Sequence, residues 1–107
     1  MATLTVFYPR SAGATFDAAY YREKHLPLAG ERWAGAGMVG GEALIGQRAV
    51  DGGEPPFLAV GILHFDTDES LNAALTGEHA AEVIADIANF TNVEPILQIS
   101  ERAAPPA

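Results

Sequence analysis

The stretch Phe57–Phe65, which reads FLAVGILHF, decides the fold. Successive side chains of a strand point to opposite faces of its sheet. One face of this stretch carries Leu58, Val60 and Ile62, and the other carries Phe57, Leu63 and Phe65. Apolar side chains on both faces are typical of a strand that is covered on both sides. We therefore predict a central strand here.

Three further strands are predicted along the chain. Thr3–Tyr8 alternates between two partly apolar faces, and Met38–Arg48 is a weaker candidate because it contains several glycines. Val93–Ser100 is the last strand. Its Pro95 lacks an amide donor, which favours a position at the edge of the sheet or a β-bulge.

Two helical regions separate these strands. The first is predicted to begin at a Thr15 cap, to run to about His25 and to break around Pro27, with another turn or two up to Trp33. The second begins at Thr67 or Asp68, ends at Gly77 and resumes near His79. The resumed piece is predicted to bury one apolar stripe, which consists of Ala80, Val83, Ile84 and Ile87.

The resulting order is strand, helix, strand, strand, helix, strand, which describes a ferredoxin-like α+β unit with a four-stranded antiparallel sheet. We expect one domain over residues 1–101 and a flexible tail over 102–107. The two helices of such a unit cover one face of the sheet only. The other face is also partly apolar, so we predict that it packs on a second copy and forms a homodimeric α+β barrel.

Composition narrows the classes of partner. The 107 residues carry a net charge of −8, and their six Lys and Arg are scattered. Binding to nucleic acid or to an anionic membrane is therefore disfavoured. The absence of Cys excludes disulfides and thiolate sites and fits a cytoplasmic protein. No apolar run is long enough to predict a membrane span, and no signal peptide is expected.

His25 and His79 are the first candidates for catalytic residues. His25 is predicted to end a helix, where the negative end of the helix dipole favours the imidazolium of a general acid. His79 is expected near a helix N-terminus, which favours the neutral ring of a base. If both face one space, they form an acid and base pair, with Tyr21 as an orienting group one turn before His25. The alternatives are that His25 only caps its helix and that His79 lies on the surface.

Six more residues are candidates for contacting a ligand: Tyr20, Trp33, His64, Asn89, Asn92 and Glu94. Consecutive residues of a helix point about 100° apart, so at most one of the neighbours Tyr20 and Tyr21 faces the core fully. A purely structural role is the alternative for the other candidates. Trp33 can cover the core or the dimer seam, and the Asn side chains can bond to local backbone.

Three segments of the chain resemble the EthD family, named for ethyl tert-butyl ether degradation, within the dimeric α+β barrel superfamily. The resemblance rests on FDAAYYREKHLP at 16–27, GEHA at 77–80 and DIANFTNVEPI at 86–96, and it covers Thr3 to about Glu101. In the last segment Ala88 stands where a Pro is expected. Phe90 stands where a Tyr is common, so this position offers no hydroxyl.

The resemblance implies the fold, the homodimer and a link to small organic molecules. Family members are tied to ether breakdown beside an oxidising system, and related ones to polyketide tailoring. Our leading hypothesis is a protein that binds a hydrophobic, aromatic or ether-derived metabolite between sheet and helices and performs or assists proton-transfer or oxidative chemistry. The alternatives are a non-catalytic binding protein for a partner oxidising enzyme, a lyase similar to polyketide cyclases or decarboxylases, and a purely structural dimerisation module.

Neither a metal nor an organic cofactor is expected. The sequence contains no Gly-x-Ser-x-Gly, no phosphate loop and no dinucleotide fingerprint, and its three His form no closely spaced ligand pair. Haem held by a lone axial His is the alternative that the sequence leaves open.

Overall fold

The computed structural model describes residues 1–103, so residues 104–107 of the predicted tail lie outside the described residues. The chain forms a four-stranded antiparallel sheet in the order β2-β3-β1-β4. Its strands are β1 (Ala2–Pro9), β2 (Met38–Ile45), β3 (Phe57–Phe65) and β4 (Ile96–Ser100). The predicted ferredoxin-like α+β fold is confirmed.

Two helical regions cross one face of the sheet. The first region consists of α1 (Ala18–Tyr20), a π-helical segment (Tyr21–His25) and α2 (Leu26–Trp33). The second consists of α3 (Asp68–Thr76) and α4 (Ala80–Asp86). Short 3-10 turns at Ala34–Ala36 and Ile87–Asn89 follow α2 and α4.

The strand β3 has the predicted bounds and lies inside the sheet, between β1 and β2. Its Leu63 pairs with Leu4 of β1, and both side chains are buried under the helices. The opposite face, which includes Val60 and Ile62, is only half-buried. Cover on both faces, as the sequence predicted, is therefore not achieved within one chain.

The first helical region differs from the prediction at both of its signals. Asp17, not Thr15, caps it, because the Asp17 carboxylate accepts a hydrogen bond from the Tyr20 amide at 3.0 Å. Pro27 does not break the helix, which continues to Trp33. The chain widens into the π turn immediately before Pro27, and a wider turn relieves the clash of a proline ring with the preceding turn.

The second helical region begins as predicted. Thr67 caps α3 in a capping box with Ser70, and Gly77 ends the helix. The predicted apolar stripe of α4 is wrong at one position, because Ile84 is 50% exposed whereas Val83 is buried.

The last strand is shorter than predicted, since Val93, Glu94 and Pro95 precede it. It pairs with β1 alone and forms one edge of the sheet, as Pro95 indicated. Likewise β2 forms the other edge and ends at Ile45 rather than Arg48.

We call the sheet face that no helix covers the open face. Strand registers place on it Thr5, Phe7, Leu44, Val60, Ile62 and Ile96. Leu44 and Ile96 are 56% and 55% exposed. The same registers also place Glu42, His64, Gln98 and Ser100 there, so the open face is apolar around Phe7, Leu44 and Ile96 and polar towards its other end. Among residues 1–103, no helix has the length and hydropathy that crossing a membrane requires.

Candidate functional site

A cavity lies between the sheet and the helices, and we call it the inner cavity. Its walls are mostly apolar and include Leu4, Val6, Leu63, Leu75, Val83 and Ile87. Ile84 and Leu97 also border it and are 50% and 44% exposed, so they form its mouth. Its volume is about 40 Å³, which at about 10–15 Å³ for each water is room for about three water molecules. The space is narrow but open on one side.

The π-helical segment presents two of the candidate residues to this cavity. Tyr21 and His25 are its first and last residues, and both are buried. Their rings are nearly parallel, with centroids 5.8 Å apart. His25 also packs on Phe90, with ring centroids 4.6 Å apart. Single π turns inside helices are frequent at functional sites.

Asp86, from the last turn of α4, is the polar partner of His25. Its Oδ2 lies 2.9 Å from Nδ1 of His25. Burial lowers the pKa of His25, and the hydrogen bond and charge of Asp86 oppose this effect only in part. His25 is therefore neutral at neutral pH. Because a carboxylate can only accept, Nδ1 carries the proton and donates it, and Nε2 is the ring nitrogen available to a ligand.

Two further donors hold the carboxylate of Asp86. The Tyr20 hydroxyl donates to Oδ1 at 2.7 Å, and Nδ2 of Asn89 donates to the same atom at 3.0 Å. Desolvation alone would raise the pKa of Asp86, but the hydrogen bonds from Tyr20, Asn89 and His25 outweigh it and lower this pKa. Tyr20 and Asn89 therefore orient Asp86. The sequence predicted a role for them in contacting a ligand, and neither lines the inner cavity.

The hydroxyls of Tyr8 and Tyr21 add hydrogen-bond donors to the cavity, which both residues line. Burial raises the pKa of Tyr21 to about 12, and burial, together with the nearby Tyr21, raises the pKa of Tyr8 further. Both hydroxyls are therefore protonated at neutral pH. A Cβ on Gly61 would lie 3.0 Å from the Tyr21 oxygen, so a glycine makes room for this hydroxyl at the centre of β3.

Trp33 is buried in the core and also lines the inner cavity, so the ligand contact and the core cover that the sequence left open are both compatible with its position. Its Nε1 is the one buried side-chain nitrogen or oxygen within residues 1–103 that has no hydrogen-bond partner.

His79 is not brought together with His25. It precedes α4, its side chain is 41% exposed, and its Nε2 lies 3.5 Å from Glu78 Oε1. It lines a separate groove on the far side of Trp33. The predicted acid and base pair is therefore not formed, because His79 and Asp86 lie at opposite ends of α4 and the far end faces His25.

The remaining candidates also lie outside the inner cavity. His64 is on the open face, with Nδ1 2.9 Å from the Thr3 hydroxyl. Asn92 does not bind local backbone: its side chain accepts from the Thr15 amide and donates to the Gly13 carbonyl, 77 and 79 positions away. Glu94 is exposed. Within residues 1–103, no three His, Asp or Glu side chains are grouped as metal ligands.

Asp86 and Tyr8 are the site residues that the sequence reasoning missed. A signal for Asp86 exists, because it follows the buried Val83 by three residues and so lies on the inward side of the same helix. A carboxylate in that position needs a partner. Tyr8 alternates with Leu4 and Val6, which placed it on an apolar face without indicating a role for its hydroxyl.

The whole chain is similar to several solved structures. An EthD-like protein from Ralstonia eutropha JMP134 is 34% identical, with a TM-score of 0.89, over 99% of this chain and 95% of its own. An EthD family protein from Bacillus halodurans C-125 is 19% identical, with a TM-score of 0.68, over 95% and 98%. An antibiotic biosynthesis monooxygenase-like protein from Deinococcus radiodurans is 15% identical, with a TM-score of 0.63, over 100% and 97%.

The two more distant similarities demonstrate the fold alone. No family model matches the sequence, and no curated protein matches it. The Ralstonia protein carries the family assignment, because 34% identity extends over nearly the full length of both chains. Fold, length and sequence thus agree with the resemblance that the segments at 16–27 and 86–96 suggested, and the chain belongs to the EthD family.

Proposed function

We propose that the protein binds a small hydrophobic metabolite in the inner cavity and moves a proton on it, with His25 as the base and Asp86 as its positioning partner. The observation that carries this proposal is a buried, neutral imidazole that borders an apolar cavity while a carboxylate holds its other nitrogen at 2.9 Å. Buried titratable groups with shifted pKa values and a specific partner in a cavity are typical of functional sites.

The chemistry follows from the orientation of the ring. Nε2 of His25 takes a proton from the ligand, and the imidazolium that forms is stabilised by the Asp86 carboxylate beside Nδ1. The same proton can return to another atom of the ligand, so no external acid is required. The hydroxyls of Tyr8 and Tyr21 donate hydrogen bonds to oxygen atoms on which negative charge develops. An apolar enclosure strengthens each of these interactions.

The proposed working unit is a homodimer. The open face carries apolar side chains that are half-buried or exposed, and a second copy placed on it would bury them. A stable pair of this kind buries about 800 Å² of each partner. Pairing through the open face leaves the helices, and with them the inner cavity, on the outer side of each sheet.

The relatives support a role in small-molecule metabolism, since their descriptions refer to ether degradation and antibiotic biosynthesis. A ligand of more than a few atoms requires displacement of Ile84 and Leu97 at the mouth, which their exposure permits. This narrowness favours a compact ligand over an extended one.

A generic proton-transfer probe tests the proposal without a known substrate. The ring of 5-nitrobenzisoxazole opens when a base removes its C–H proton: the N–O bond breaks, and the electron pair stays on oxygen as a coloured phenolate. We expect the protein to accelerate this reaction. His25→Ala should remove the acceleration, and His79→Ala should retain it.

The circular dichroism spectrum and the oligomeric state check that each variant is folded. Equal rates for wild type and a folded His25→Ala variant would contradict the proposal. Ligand binding that survives in this variant, with no acceleration by either protein, would instead support an accessory binding protein.

A further inference from the structure

Trp33 carries a buried indole N–H that lacks a hydrogen-bond partner among the described residues. Trp33 is 3% exposed, and Nε1 has no partner within residues 1–103. Nearly all buried polar atoms in folded proteins have a hydrogen-bond partner, because a buried atom without one has given up its hydrogen bond to water and gained nothing in return. Because Trp33 lines the inner cavity, an acceptor that enters this cavity, either a ligand oxygen or a water, would supply the missing partner.

The other polar groups of the cavity narrow the chemistry of that ligand. Tyr8 and Tyr21 offer hydroxyl donors, and His25 is neutral. Among the described residues, no Lys, Arg, Asp or Glu lines the inner cavity. Transfer of an ion into such a space is costly unless a counter-charge is present. The net charge of −8 further disfavours an anion.

We propose that the inner cavity selects uncharged ligands with a carbonyl-type acceptor oxygen and that Trp33 Nε1 donates the hydrogen bond that anchors them. This rests on the proposed function only in using the same cavity. The indole also borders the outer groove that contains Ala73 and His79. The test therefore separates the two spaces.

The chain contains one Trp, so its ¹⁵N spectrum has a single indole N–H resonance. Three probes of similar size are titrated: cyclohexanone, methylenecyclohexane, in which a CH₂ group replaces the oxygen, and cyclohexanecarboxylate. We expect cyclohexanone to move the indole resonance downfield, the hydrocarbon to bind more weakly without that shift, and the anion not to bind.

Trp33→Phe keeps an aromatic wall and removes the donor. It should weaken cyclohexanone binding by about three- to tenfold, the range of one neutral hydrogen bond, and leave the hydrocarbon unchanged. Ala73→Gln fills the outer groove and should leave ketone binding as in wild type. An unmoved indole resonance, equal affinities for ketone and hydrocarbon, loss of binding in Ala73→Gln, or no binding of any probe at millimolar concentration would each overturn the proposal.

These measurements report binding, whereas the benzisoxazole assay reports proton transfer. Asp86 does not line the cavity, so Asp86→Asn should leave ketone binding intact while it slows the reaction. Failure of catalysis with an intact indole shift would therefore reject the proposed function alone. Catalysis without the shift would reject the ligand class alone.

Discussion

The carboxylate of Asp86 and the imidazole of His25 meet at 2.9 Å although 61 positions separate them in the sequence. The contact joins α4 to the π-helical segment beside the inner cavity. It therefore fixes the position of the two helical regions relative to each other. A second contact between the helical regions has the same effect, because Arg32 of α2 donates hydrogen bonds to Glu82 of α4 at 2.7 and 3.2 Å. The position of the His25 imidazole thus depends on both helical regions.

Asp86→Asn is predicted to impair proton transfer less than His25→Ala does. Loss of a general base costs about 10²–10⁴-fold in rate. The asparagine keeps the shape of the side chain but removes the charge that raises the pKa of His25. We therefore expect a slower reaction whose acid limb moves to lower pH, measured as a rate profile over the acid-to-neutral range. A profile identical to that of wild type would exclude Asp86 as the partner of His25.

Acidification is predicted to destabilise the fold through His25. Its pKa in the folded protein is lowered from the ordinary 6.5, so the unfolded chain takes up the proton first as pH falls. The stability that the neutral ring contributes is complete above pH 6.5 and declines as pH drops towards the folded pKa. Urea unfolding on either side of that pH measures this loss. It should shrink in His25→Gln and persist in His79→Gln, and an equal loss in His25→Gln would contradict the assignment.

Leu44→Glu is predicted to convert the proposed homodimer into a monomer. Leu44 is 56% exposed on the open face, so a carboxylate there costs a single chain little, but pairing would bury it without a counter-charge. Val50→Glu is the matched control, since Val50 is fully exposed outside the sheet. Light scattering should give the monomer mass for the first variant only. A wild-type protein that is monomeric at high concentration would refute the dimer.

Gly61→Ala is predicted to destabilise the fold and to slow proton transfer. The new Cβ would lie 3.0 Å from the Tyr21 oxygen and would push this hydroxyl away from the sheet. Overpacking of a core typically costs about 1–3 kcal/mol. Gly40→Ala in β2 is the control, because a Cβ at that position would meet nothing within 4 Å. The control should change stability by less than about 0.5 kcal/mol. Equal unfolding midpoints for the two variants would show that Tyr21 adapts freely.

The sequence predicted those features that local patterns encode. The alternation in Phe57–Phe65 and the cap at Thr67 are properties of neighbouring residues, and both were confirmed. The break predicted around Pro27 is wrong, because the rule that proline breaks a helix assumes α-helical geometry and the π turn departs from it.

The site was predicted only in part for a related reason. The helix-end argument predicted an imidazolium at His25, but the helix continues to Trp33 and burial lowers the pKa of this ring, and such an argument does not say which way a ring points. His79 was therefore paired with His25 as the second catalytic candidate, although it faces the outer groove. The pairing of His25 with Asp86 depends on how two helices pack and has no local signature. His25 itself was found because it lies near Tyr21 on one helix.

The π turn also bears on how the site tolerates change. Such a turn holds one residue more than an α-helical turn, and each residue of an α-helix changes direction by about 100°. Loss of any single residue between Tyr21 and His25 would therefore swing the imidazole away from Asp86 even if every functional side chain were kept. Chain length in this segment is as strict a requirement as the histidine, and relatives with a one-residue gap there should lack the base.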